Sequence, residues 1–215
     1  NFSRCARCLG GSSMNDEKRF QDAIRRIDTA NREDPNLEDE QPKELLYGQR
    51  MSGQMEQFAP DASQIVRLAA RAQHICRWRI PRSDYPQGRD GYRKWRTDLG
   101  RFHAQMAGRI LSDAGYEAGT VERVEALLRK ESLKSDPDCQ LLEDVICLVF
   151  LQHYLADFAA QHEQEKLIRI LRRTWKKMSQ RGREAALQLE LAGPVRKLIE
   201  QALGTAEGQS PQESN

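Results

Sequence analysis

The stretch QLLEDVICLVFLQHYL, residues 140–155, decides the fold. Its apolar run, Val145 to Leu151, is too continuous for one face of a surface helix, and helical spacing persists on both sides of it. A helix that is apolar almost all round is a buried one, so we expect a buried central helix over about 138–161. The run is far shorter than the roughly 20 apolar residues needed to cross a bilayer. At about 100° per residue, Asp144 falls on the side of Leu141, Leu148, Leu151 and Leu155. A buried lone carboxylate is expensive unless it is paired, protonated or bound to metal. Asp144 therefore either has an internal partner, a cation or a helix end, or it serves a site. Glu143 lies about one residue's rotation away, where it can assist or reach solvent.

Outward from this helix, the same periodicity recurs and no alternating strand pattern emerges. Phe20, Ala23, Ile24 and Ile27 mark a first amphipathic helix. Further helices are expected over about 43–57, 62–79, 93–113, 120–131, 163–180 and 183–203, the last bent or broken at Gly193-Pro194. Asp61 and Gln64 read as a capping box for the third. Asn31 to Pro42 and the Pro- and Gly-punctuated segment from Pro81 to Gly91 read as loops. The expectation is an all-α protein of about eight helices, one helical domain over 14–203. Residues 1–13 read as an extension outside the fold, and 204–215 as a disordered polar tail.

No basic-then-apolar leader opens the chain, and the five cysteines are an odd set placed mostly in predicted helices. Both observations lead us to expect a cytoplasmic protein with reduced thiols and no membrane partner. Cys5 and Cys8 form one CxxC, half of a zinc site. The formal net charge of +2 hides a segregation: Met14 to Asp61 is acidic, whereas Arg71 to Arg101 and Lys166 to Arg183 are basic.

Two groups of residues carry candidate chemistry. His74, His103 and Asp144 come from three successive long predicted helices, the way helical bundles build metal sites. With Glu143 they form a mixed nitrogen and oxygen set suited to one Zn, Mn or Fe ion. The second group lies in residues 73–101, where arginines alternate with Trp78, Tyr85, Tyr92 and Trp95. Arginine pairs bidentately with phosphate and aromatic rings stack on bases. Arg77, Arg82 and Arg93 are the candidate phosphate contacts, with Lys130 if it faces this segment. The bland alternative is an arginine-rich loop stapled to the acidic N-terminal third, its tryptophans in the core.

ELLYGQRMS (44–52), LAARAQHICRW (68–78), FHAQMAGRILSDAGY (102–116) and LLEDVICLVFL (141–151) together resemble the HD superfamily of metal-dependent phosphohydrolases. That resemblance implies a helical bundle with a site made from a histidine, a His-Asp pair and a later aspartate. Tyr47 stands where the first histidine would be, Gln73-His74 where the pair would be, and Asp144 where the aspartate would be. AQHICRWRIPRSDYP (72–86), GYRKWR (91–96) and QLLEDVICLVFL (140–151) resemble the domain-of-unknown-function 4202 family, over nearly all of 14–203. Three functions follow as expectations. The first is an HD-like metal-dependent phosphohydrolase acting on a phosphoester or nucleotide, in active or degenerate form. The second is a non-catalytic nucleotide- or RNA-binding module using residues 73–101. The third is a structural adaptor with Asp144 in an internal ion pair.

Overall fold

Apolar stripes at helical spacing fold as helices along almost the whole chain in the computed structural model, which describes residues 9–131 and 135–204. The expectations for residues 1–8, with Cys5 and Cys8, and for the tail beyond 204 lie outside the described residues. The protein is all-α, with ten α-helices among the described residues rather than about eight. The chain divides into two compact units, residues 1–142 and 143–215. No described helix is long and apolar enough to cross a membrane.

The first unit begins with α1 (Leu9–Asn31), then a short antiparallel hairpin of β1 (Leu37–Glu38) and β2 (Gln41–Pro42), with Leu37 opposite Pro42. Next come α2 (Lys43–Phe58), α3 (Gln64–Arg71), α4 (Arg89–Asp113) and α5 (Ala118–Arg129). Its core is filled by Ile27, Met51, Met55, Leu68, Ile75, Leu99, Leu111 and Leu127, all fully buried. Arg71 ties three helices together: its Nε and Nη2 donate to the two Asp28 oxygens at 2.7 Å each, and its Nη1 donates to Gly48 O and Ser52 Oγ. The cap of α3 is Ser63, whose hydroxyl accepts from Val66 N, not the Asp61–Gln64 box. Helices α4 and α5 turn back on each other through Gly115, whose φ of +80° favours glycine. They approach closely at Gly108, where a Cβ would come within 2.0 Å of Glu125 Oε1.

Helix α3 ends eight residues before its spacing suggests. Cys76 adopts a left-handed conformation (φ 50°), and its N–H donates to Asn31 Oδ1 at 2.9 Å. Asn31 is buried, and its Nδ2 donates in turn to Glu44 O. A long-range hydrogen bond thus overrides local helical propensity, and His74 sits in a turn rather than on a helix.

Helix α6 (Pro137–Val149) crosses the division between the units. The expected central helix runs without a gap over 137–160, with a π-helical turn, Phe150–Tyr154, inserted between α6 and α7 (Leu155–Ala160). The second unit continues with α8 (Gln164–Lys177), α9 (Gln180–Gln188) and α10 (Gly193–Gly204). The expected last helix is thus two, and the break falls before Gly193, which opens α10. Burial agrees with the sequence reading, since Val145, Leu148, Val149, Leu151 and Leu155 are all buried.

Candidate functional site

The turn after α3 brings His74 onto α2. The His74 ring lies flat on Tyr47, with centroids 3.7 Å apart and planes 12° from parallel. Its Nδ1 is 3.1 Å from Glu44 Oε2, and its Nε2 is 3.2 Å from Arg77 Nη1. A guanidinium only donates, so Nε2 is the acceptor and the ring proton sits on Nδ1, pointing at Glu44. Burial, together with the Arg77 and His103 side chains, holds His74 well below its usual pKa, so it is neutral. Burial pushes the Glu44 carboxyl up to about 7, against the opposing pull of Arg77. Glu44 is fixed from behind, because its N–H donates to Asp34 Oδ2 at 3.0 Å. Arg77 also lies over Trp95, 4.9 Å from the ring, while Trp95 Nε1 donates to Ile80 O.

Beside His74 opens a cavity of about 370 Å³, all within the first unit. Gln73, His74, Arg96, Arg101, His103 and Lys130 are among the side chains that wall it. Arg129 and Glu131 join the wall from the end of α5, and Gly100 leaves room on α4. Lys130 is placed by a left-handed residue conformation (φ 56°) that ends α5. Arg129 is committed to Glu125 and Glu131, and Arg101 stands 3.8 Å from Asp98. Arg96, by contrast, makes no side-chain hydrogen bond or ion pair among the described residues. Two atoms of the wall residues are buried without a hydrogen-bond partner: Gln73 Oε1 and His103 Nε2. These residues are 4% and 3% exposed. Burial, with Arg77 and Arg96 nearby, holds His103 down to about 3. The cavity therefore combines a cationic rim with neutral, unsatisfied polar groups in its wall.

The sequence-predicted residues divide sharply. His74 and His103 do come together, with ring centroids 6.0 Å apart, and Lys130 faces the same cavity. Asp144 is buried as expected, but its carboxylate is engaged within the second unit, accepting from Ser179 N and Ser179 Oγ. Glu143 is buried too, and Lys177 Nζ lies 3.3 Å from its Oε1. Arg82 donates to Tyr85 O and Pro86 O and so braces its own loop. Arg93 is largely exposed, 3.9 Å from Asp90. Arg77 is drawn to His74 and Glu44.

These arrangements do not suit a divalent cation. Both nitrogens of His74 are engaged, one of them by a cationic guanidinium, and the neighbouring rim is positive. Among the described residues no three His, Cys, Asp or Glu side chains are gathered to hold a metal ion. Of the set His74, His103, Asp144 and Glu143, the two histidines stand together in the first unit beside a cavity with a cationic rim, whereas the two carboxylates belong to the second unit, engaged by Ser179 and Lys177.

The arginine and aromatic segment also resolves. Arg71, Arg77 and Arg79 pair with Asp28, Glu44 and Glu33, the stapling to the acidic N-terminal third that the bland reading expects. Trp95 is core and Tyr85 donates to Asp98 Oδ2, whereas Trp78 is half-buried and Tyr92 is exposed. Arg96, Arg101, Arg129 and Glu44 were not singled out by sequence, and Gln73 entered only as the neighbour of His74 in the HD-like pattern. Only the four-residue spacing from Arg96 to Gly100 and the three-residue step on to His103 hint that they share one face of α4.

The family model described as Domain of unknown function (DUF4202) matches residues 21–199. The chain belongs to this family. Every cavity residue, from Gln73 to Glu131, lies inside the matched span, as do Glu44, Tyr47 and Arg77. No curated protein and no solved structure matches the chain.

Proposed function

We propose that the first unit binds a small phosphate-bearing molecule, with a nucleotide as the leading class, in the cavity between α4, the end of α5 and the turn at Gln73-His74. The observation that carries this reading is Arg96, a cation with no internal partner, set at a cavity that also displays Arg101 and Lys130. A guanidinium left without a carboxylate beside other cations is poised for a multiply charged anion. The volume sits at the small end of ligand sites, roughly 300–1,000 Å³, which suits a single small molecule rather than a polymer. That favours a nucleotide over RNA.

Calorimetric titration with inorganic phosphate, AMP and ADP tests it. Binding should weaken with added salt, persist in a chelator, and fall at least about tenfold in Arg96→Glu. Unchanged affinity in Arg96→Glu, or no binding of any phosphate compound at millimolar concentration, would overturn the reading.

One observation favours a second reading, phosphoester hydrolysis of the HD-like kind. The Glu44–His74 hydrogen bond fixes the imidazole tautomer, as a general base requires, and Nε2 becomes available as that base once Arg77 turns from it to a ligand phosphate. Phosphate release from p-nitrophenyl phosphate or a nucleotide, lost in His74→Asn while ligand binding persists, would support it. The absence of turnover by the wild-type protein, with and without added divalent metals, would leave the binding module alone.

A further inference from the structure

A phosphate group accounts for the cationic rim of the cavity but not for its unsatisfied wall. Gln73 Oε1 is an acceptor with no donor, and His103 Nε2 is likewise without a partner. Both residues are more than nine-tenths buried and both line the cavity. A buried acceptor left unmade costs about 1–3 kcal/mol, so such an atom in a cavity wall calls for a donor from a ligand or an ordered water. A phosphate dianion carries acceptors only and cannot satisfy Gln73 Oε1. Its place is at Arg96, Arg101 and Lys130, and the wall must be met by another part of the same molecule.

We propose that the ligand is a phosphomonoester whose alcohol portion bears hydroxyl or amino donors, of the sugar-phosphate kind, and that Gln73 selects it by accepting such a donor, with His103 Nε2 meeting a second polar group of the same molecule. This rests on the phosphate-binding reading and names the chemistry the cavity discriminates. His103 suits the role because burial, with Arg77 and Arg96 nearby, keeps it uncharged, and the Nε2 of a neutral ring pairs with a hydroxyl, which both donates and accepts, in either tautomer. The hydroxyls of a pentose and the exocyclic amine of a purine offer the same donor chemistry from two sources.

Titration of the full chain with a graded series decides between them. The probes are inorganic phosphate, n-butyl phosphate, ribose 5-phosphate, 2-deoxyribose 5-phosphate and AMP. Ribose 5-phosphate should bind at least about tenfold more tightly than butyl phosphate, which has the anion but no donors on its chain. In Gln73→Met the two should converge, through loss on the sugar phosphate and little change for butyl phosphate. A gain confined to AMP would assign the donor to the base, and a gain shared by ribose 5-phosphate would assign it to the sugar. Equal affinities for butyl phosphate, both sugar phosphates and AMP in the wild-type chain would overturn the proposal while leaving phosphate binding intact. Failure of every probe, inorganic phosphate included, would overturn both. Because the ligand series is read on the unmodified protein, the result does not depend on the variant folding.

Discussion

The Asp144 carboxylate accepts both donors of Ser179, the backbone N–H at 2.8 Å and the hydroxyl at 2.5 Å. Ser179 in turn caps α9, its Oγ accepting from Gly182 N at 3.0 Å. The one acidic residue on the most apolar face of the buried run is therefore a helix-end anchor, with its charge near the positive N-terminus of α9. Hydrogen bonds to ionised groups contribute about 1.5–3 kcal/mol each. Asp144→Ala should lower the unfolding free energy by about 2–4 kcal/mol, read as a reduced urea midpoint. An unchanged midpoint would remove the anchoring role.

Gly182 belongs to the same knot. A Cβ there would come 2.6 Å from the Asp144 carboxyl carbon and Oδ1, so something must move. Gly182→Ala should destabilise by about 1–3 kcal/mol although alanine is the better helix former. The double variant with Asp144→Ala should lose less than the sum, since the clash disappears with the carboxylate. Strict additivity in denaturant would show that the two sites do not interact.

How much of this was legible in the sequence depends on which interactions set each feature. The burial of residues 145–155 and the end of α4 at Asp113 follow from periodicity and from Gly115, both local signals. The early end of α3 does not, because residues 72–79 keep helical spacing and are diverted by Asn31, far along the chain. Arg93 and Arg96 look alike in sequence and lie three residues apart on one side of α4, yet one is exposed near Asp90 and the other stands at the cavity; what decides it is which stretch of α4 the end of α5 and the turn at Gln73-His74 wall in. Glu44 reads as an ordinary acid in a first helical turn, and only the fold shows it buried against His74. Asp144 was recognised as non-idle, but periodicity cannot say whether a buried carboxylate meets a metal, an arginine or a helix end.

Asn31 should behave as the hinge-pin of the site without touching any ligand. It holds the Cys76 turn through Oδ1 and α2 through Nδ2. Asn31→Ala leaves a buried N–H of Cys76 unpaired and should cost about 1–3 kcal/mol in denaturant titration. Phosphate affinity should fall in the same variant, since His74 and Gln73 precede Cys76 in the turn. Full affinity with lowered stability would separate the buckle from the cavity.

Glu44 and His103 should give opposite pH dependences. The Glu44 carboxyl rises from 4.5 to about 7 on folding, so between those values the folded chain holds more of this proton than the unfolded chain. Its contribution therefore declines as pH rises through that window. His103 falls from 6.5 to about 3, so the unfolded chain holds more of its proton between those values and stability rises with pH there. Glu44→Gln should remove a negative slope of stability against pH over about 5–7, and His103→Gln a positive one over about 3–6, each at most about 1.4 kcal/mol per pH unit. Urea midpoints across pH 4–8 that keep the wild-type slope in both variants would refute the assignment.

The tautomer of His74 is the sharpest single consequence of the site's geometry. Its Nε2 faces Arg77 Nη1, which has no lone pair to offer, so the proton must reside on Nδ1 toward Glu44. Solvent-exposed neutral histidine favours the Nε2-protonated form, so the reverse assignment would be a local signature. Long-range ¹H–¹⁵N correlation spectra at neutral pH should show His74 with a protonated Nδ1 and a bare Nε2. Arg77→Met should release that constraint and let the Nε2–H form appear, without moving the resonances of His153 or His162. A His74 spectrum of the ordinary Nε2–H type in the wild-type protein would mean that the Glu44–His74–Arg77 chain is not formed, and the tautomer assignment would fall with it.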